Sequence, residues 1–239
     1  MDEIFKAEAW EKLWTYRSTF LTGFGNTLRT AAAALVLALA LGFLFGLMAS
    51  SRRRLLRAIA RVYVECIQNT PVVLQMCFLY YALAFSGVKT DIIATGIAAL
   101  GVYTGAYMAE VVRAGIAAIP KGQFEAAETQ GFSTVQTMAY IVLPQAYRAV
   151  VPTLLSQVIS TVKDSSYLAN LACIELMSRV RKILATSNMF NGVGRQMVSD
   201  VFVLFGLAFV IYFVINFALS CAVRRLQKPR IRKKQEAAA

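Results

Sequence analysis

The chain has 239 residues, 58% of them hydrophobic, a formal net charge of +12 and no histidine. With a mean hydropathy of +0.57 it is too apolar for an ordinary soluble domain, where the apolar share is about 45–50%. The missing histidine removes the commonest general base and transition-metal ligand, and there is no GxxxxGK[ST] loop to cradle a nucleotide phosphate.

Several windows reach the roughly 20 apolar residues that a helix needs to cross a bilayer. The composition therefore points to a one-domain, all-α polytopic membrane protein. Positive charge gathers at the ends of apolar stretches, as in loops that anchor spans, and not along one face that would suit nucleic acid. Cys66, Cys77, Cys173 and Cys221 have no metal-ligand spacing and fall in or beside apolar runs, where packing is expected. The start has acidic residues where a signal peptide has a basic n-region, so none is expected.

Residues 1–25 are mixed and charged. Trp10 and Trp14, four apart beside Lys6, Lys12 and Arg17, suit a helix lying in the membrane interface. The first span is expected over 26–49, about 35 Å long as a helix. Its Ala34, Ala38, Gly42, Gly46 and Ser50 repeat every four residues and leave a nearly bare face for helix packing. Arg52, Arg53, Arg54, Arg57 and Arg61 follow as a basic anchor.

The second span, 62–85, carries Glu65, Gln68, Asn69 and Gln75 near one helical face. Pro71 lies among them and cannot donate to the carbonyl of Ile67. A polar face and a broken backbone bond are tolerated in a membrane only against protein or a wet cavity. The third span, 91–112, has a small face of Gly101, Gly105 and Ala109, with Tyr103, Tyr107 and Glu110 on another. Glu110 is placed either to pair with Arg113 or to line a pathway.

A polar insert, 113–144, separates it from the fourth span, 146–171, which holds Pro152 and the row Ser156, Ser160, Asp164. Residues 172–198 are expected as an outer loop with a short helix and contain Arg179, Arg181 and Lys182. The fifth span, 200–223, has Asn216 as its one strongly polar interior residue, and 224–239 is a basic tail. Five spans make one transmembrane domain over 26–223. The basic tail and the Arg52–Arg61 cluster place the C-terminus in the cytoplasm and the N-terminus outside, although the outer loop is basic too.

Within the insert, Pro120 suits a first helical position, Lys121 to Gln130 are good helix formers, and Gly131 suits the residue after the helix end. Ser133 and Gln136 match a capping box for a second helix to Leu143, with Pro144 as the next boundary. Helix, glycine break and helix make either a docking surface or an ordinary polar loop.

The pattern Glu125-Ala126-Ala127, three residues, Gly131, nine residues, Ile141, one residue, Leu143-Pro144 resembles the EAA signature of ABC-importer permease subunits, with no departure at its fixed positions. The likeness extends from about Gly23 to the fifth span and is greatest to the five-span polar amino-acid permeases of the type I importers. Supporting stretches include Asn26-Thr27-Leu28, Glu65 to Pro71, Arg113 to Ile116, Leu143 to Arg148 and Lys163 to Leu168. One departure is Gln68-Asn69, where many relatives carry Arg-Gly, so no single relative's substrate can be copied.

The resemblance implies a coupling helix seated in a cytoplasmic ABC ATPase dimer, which binds ATP and Mg, with no cofactor in this chain. It further implies a second permease subunit, identical or different, an extracytoplasmic amino-acid-binding protein, and residence in the bacterial cytoplasmic membrane. Glu125, Ala126, Ala127, Gly131, Ile141, Leu143 and Pro144 would be the ATPase-coupling residues.

A zwitterionic amino acid needs donors for its carboxylate and acceptors for its ammonium. An ionised side chain near the bilayer centre costs roughly 2.5–3.5 kcal/mol on insertion scales, so Asp164 asks for a reason. Asp164, Ser165, Asn69 and Gln75 are the candidate substrate-binding residues, and a structural polar network is the other reading of them. Glu65, Gln68 and Glu110 are candidates for a gate or for structural polar contacts. Two other classes remain: an ion-coupled secondary transporter of small polar solutes, and a membrane-embedded enzyme. No internal repeat supports the first, and no catalytic constellation supports the second.

Overall fold

The computed structural model describes residues 14, 16–88, 91–171, 173–190 and 195–236, and among these it contains no strand. The helices are α1 (Arg17–Ala49), α2 (Arg54–Gln68), α3 (Val72–Phe85), α4 (Ile92–Ala117), α5 (Lys121–Thr129), the single turn α6 (Thr134–Gln136), α7 (Leu143–Asp164), α8 (Leu176–Phe190) and α9 (Arg195–Glu236). A π-helical segment, Thr137–Val142, joins α6 to α7, and a 3-10 segment, Ser165–Leu171, follows α7. Trp10 and most of the proposed interfacial segment lie outside the described residues. Trp14 is exposed, with the Arg17 guanidinium 4.9 Å from its ring centre.

Among the described residues, α1, α4 and residues 201–225 of α9 are each apolar and long enough to cross a membrane unaided. The broken pair α2–α3 and the more polar α7 stand where the other two spans are expected. α1 begins at Arg17, well before residue 26, because its first turns have a partner. Phe20 is buried with Leu176, Val180 and Ile183 of α8 and Leu204 and Ala208 of α9. Arg, Lys, Gln and Leu favour helix, and α9 runs unbroken through residues 224–236.

α1 and α4 form the most extensive helix pair. The small stripe on α1 explains it: Ala34 and Ala38 are fully buried, and Gly42 and Gly46 are buried on the same face. A Cβ at Gly42 would stand 2.5 Å from the Met108 Cβ, and one at Gly46 would stand 2.6 Å from the Val112 Cβ. The backbones approach so closely that only hydrogen fits between them, which is how helices gain dispersion contact in lipid.

The expected break in the second span is present, and side chains donate to four of the carbonyls around it. Asn69 Nδ2 donates to the Glu65 carbonyl at 2.8 Å, and Thr70 Oγ1 donates to Cys66 at 2.8 Å. Gln75 Nε2 donates to Ile67, the carbonyl that Pro71 leaves unbonded, at 2.7 Å, and to Thr70 at 2.9 Å. Around the break α3 packs Met76 against Leu168 and Leu171 of the 3-10 segment.

The α-winding of the fourth span stops at Asp164, short of 171. Ser165 is fully buried and its hydroxyl donates to Val162 three residues back at 2.8 Å, tightening the chain into the 3-10 form.

Gln75→Leu keeps the volume but strips the caps from the break. It should cost about 1–3 kcal/mol through unsatisfied carbonyls, measured as a lower unfolding midpoint of the detergent-solubilised protein. An unchanged midpoint would rule out this role.

Candidate coupling surface and translocation residues

The polar insert folds as a short helix, a glycine turn and a second helix. Pro120 stands one residue earlier than expected, as the N-cap of α5, with φ −57° and ψ 139°. Gly131 has φ +80°, a left-handed conformation that a side chain disfavours. There Gly131 N–H donates to Glu128 at 3.0 Å and Phe132 N–H to Ala127 at 3.0 Å, closing α5 with a Schellman pair. The capping box forms: Ser133 N–H donates to Gln136 Oε1 at 2.8 Å, and Gln136 N–H donates to Ser133 Oγ at 3.3 Å.

The two alanines of the signature point different ways. Ala127 is buried, whereas Glu125 and Ala126 are exposed. One alanine therefore seats α5 on its own protein, and the other leaves a flat outer face beside a carboxylate. Val135 and Tyr140 are 77% and 72% exposed on the following turns, an apolar display outside the helix bundle. Arg52, after α1, pairs with Glu128 and ties α5 to the end of α1.

Pro144 does not interrupt the chain. The π segment gives Leu143 N–H a bond to Met138, five residues back, and Pro144 then falls in the first turn of α7. Proline is tolerated there, and the wider winding eases its ring past the preceding carbonyls. Val142 is fully buried, Ile141 and Leu143 are half-buried, and Pro144 is exposed. Val142 packs with Val112, Ile116 and Ala146, fixing this end of α7 to α4.

The candidate substrate residues separate into two groups. Asn69 and Gln75 sit at the α2–α3 break with their amide nitrogens committed to backbone carbonyls. Ser165 is enclosed and bonded to Val162. Asp164 is half-buried at the end of α7, within electrostatic reach of Tyr103, whose neighbours also include Tyr107 and Tyr167. The Tyr103 and Tyr107 rings lie 5.1 Å apart, and Thr161 shares a buried 3.5 Å contact with Thr104. No hydrogen bond among the described residues joins Asp164 to Asn69 or Gln75.

The gate-or-structural residues all have partners. Glu110 takes a two-pronged contact from Arg113, with Nε 2.8 Å from Oε2. Glu65 lies 3.8 Å from Arg61, and Gln68 reaches the Ala106 carbonyl of α4 at 3.4 Å.

The sequence reading passed over Glu175, which is fully buried. Its carboxylate accepts from the backbone N–H groups of Met177 and Ser178, the first turn of α8, and from the Tyr212 hydroxyl of α9 at 3.2 Å. The next backbone N–H, of Leu176, donates to Thr27 Oγ1 of α1 at 3.1 Å. Glu175 thus joins the start of α8 to α9, and the adjacent Leu176 N–H adds α1. Its only sequence signal is an isolated carboxylate in the apolar run from Cys173 to Met177.

Membrane-crossing helices, a polar break in one span and a capped helical segment at one end are the architecture of a transport permease. The chain belongs to the family described as binding-protein-dependent transport system inner membrane component, whose model matches residues 38–233. It is similar to the probable glutamine ABC transporter permease protein GlnP of Bacillus subtilis, 37% identical over 205 residues, covering 86% of this chain and 90% of that one. It is also similar to the glutamate transport system permease protein GluD of Corynebacterium glutamicum, 34% identical over 217 residues, 90% of this chain and 76% of that one.

Among solved structures, the chain matches the crystal structure of an amino acid ABC transporter with histidines. The TM-score is 0.75 at 26% identity, covering 90% of this chain and 97% of that one. The inward-facing MetNI methionine ABC transporter shares the fold at 18% identity, with a TM-score of 0.66, 88% of this chain and 97% of that one being covered. These likenesses favour an ABC permease over an ion-coupled secondary transporter. The matched relatives bear the name of permease proteins.

Glu175→Leu should cost about 3 kcal/mol, because two helix N–H groups and a buried hydroxyl lose their acceptor, and Tyr212→Phe about 1 kcal/mol. Unfolding of the solubilised variants checks this, and equal losses would remove Glu175 from the centre of the network.

Proposed function

We propose that the chain is a permease subunit of an importer for polar amino acids, and that α5 is the helix through which a cytoplasmic ABC ATPase dimer drives it. The observation carrying this reading is the exposed Glu125–Ala126 face of α5. That face sits on a helix closed by Gly131 and anchored by the buried Ala127, and beyond the glycine turn the winding from Thr134 runs through the π segment into α7. A push on α5 would pass across the glycine turn into the winding that ends at Asp164.

In this reading the coupling segment and the basic end of α9 face the cytoplasm and the N-terminus lies outside, in a bacterial cytoplasmic membrane. A second permease subunit completes the path, and an extracytoplasmic binding protein delivers the amino acid. ATP and Mg are held by the ATPase. Glutamine and glutamate permeases among the relatives support an amino-acid substrate.

Asp164 is the residue we assign to the substrate, because its carboxylate accepts from an ammonium and the rings of Tyr103, Tyr107 and Tyr167 favour a cation beside it. Asn69 and Gln75 support the break that shapes the path, and Ser165 supports the turn behind Asp164. Both roles follow from where their hydrogen bonds go.

Glu125→Lys should abolish co-purification with the ATPase while the permease still folds; retained co-purification would sink the docking assignment. Asp164→Asn should leave the complex assembled and reduce transport in proteoliposomes at least about tenfold, the loss of a charge-assisted contact. Unchanged uptake would remove Asp164 from the path.

A further inference from the structure

Two crevices meet at Leu143, and their polarity changes in one direction. The first, of about 380 Å³, runs between α1, α4 and α7, with Leu39, Phe43, Met108, Val150 and Leu154 among its walls. The second, also about 380 Å³, continues from Leu47 past Ser50, Ser51 and Arg52 to Thr134 and Thr137. The first is open on the membrane side, since Leu39 and Phe43 are 48% and 51% exposed. Arg52 lines the second crevice and pairs with Glu128, and Arg53 and Arg54 follow it in the chain, exposed and with no ion pair among the described residues, so positive charge exceeds negative at this end.

From Leu39 to Arg52 the trough is about 20 Å long at 1.5 Å per residue, close to half the roughly 40 Å thickness of a bilayer with its headgroups. A hydrocarbon channel one leaflet deep, ending in hydroxyls and excess positive charge, is the outline of a single phospholipid.

We infer that this trough is a binding site for one anionic phospholipid of the leaflet that meets the coupling segment. An acyl chain fills the apolar crevice beside Leu39 and Leu154, and the phosphate rests against Ser50, Ser51 and the arginine cluster. Apolar burial holds the chain and the positive charge selects the headgroup. The occupant of the trough touches Leu143, a fixed position of the coupling signature, so the lipid buttresses the root of α7. This assignment stands apart from the identity of the transported solute.

The full-length protein, purified in mild detergent and supplied with dioleoyl phosphatidylglycerol or dioleoyl phosphatidylcholine, is examined by native mass spectrometry. The wild type should retain one phosphatidylglycerol per permease chain and prefer it to phosphatidylcholine. Leu39→Trp with Leu154→Trp fills the crevice and should lower retention at least about tenfold, the equivalent of two displaced methylenes. Arg53→Gln should erase the preference for phosphatidylglycerol.

A benzophenone side chain at the exposed Leu39 serves as a check that needs no repacking, and irradiation in phosphatidylglycerol vesicles should give a lipid adduct. Equal retention by the tryptophan variant would overturn the site. So would equal retention of the two lipids by the wild type, or an adduct with a second permease chain in place of lipid.

Discussion

In hydrocarbon every backbone N–H and C=O must find its partner inside the protein, and the rest of this structure depends on how that demand is met at Asn69–Pro71. A proline in the second span frees carbonyls, and three polar side chains close over them. The amide of Gln75 reaches back eight residues to Ile67, so the break is a defined corner and not a frayed end. With the corner fixed, α2 and α3 take separate directions. α2 can then lie against α4 through Gln68, while α3 covers the 3-10 segment through Met76. Polar residues that look like a pathway lining in the sequence are first of all the internal solvent of a broken helix.

Steric demand organises the other half of the fold. Glycine and alanine along α1 bring it against α4 with almost no side chain between the two backbones. α4 in turn holds the root of α7 through Val112 and Ile116. The helices that would move a substrate and the helix that would receive a push therefore meet a common rigid pair. Beyond the far end of α7, Glu175 binds the start of α8 and Tyr212 of α9, and the neighbouring Leu176 N–H binds Thr27 of α1. α7 is held at its root by packing, and its tip is turned by the Ser165 hydroxyl on the Val162 carbonyl.

Much of this was legible in the sequence because it follows from local rules. The capping box, the left-handed Gly131, the freed Ile67 carbonyl and the small stripe on α1 each depend on residues a few positions apart. What escaped depends on distant partners. α1 begins early because α8 covers Phe20, which no local pattern reports. Pro144 looks like a boundary, but a π segment carries the helix through it. Ala126 and Ala127 are alike in the sequence, and only the tertiary structure separates an outward alanine from an inward one. Glu175 belongs to this class in part: Met177 and Ser178 lie two and three residues on, but its third donor, Tyr212, comes from α9.

The unbroken winding from Thr134 through the π segment to Asp164 gives the spacing of the coupling signature a geometric meaning. Along a continuous helix one added or removed residue turns everything beyond it by roughly 100°. The nine residues between Gly131 and Ile141 act less as a length than as an angle, setting the azimuth at which Asp164 stands relative to the face that α5 presents. Under the proposed coupling the segment would work as a crank with its phase built in. A flexible tether of the same length could carry the same contacts at both ends and still transmit no rotation.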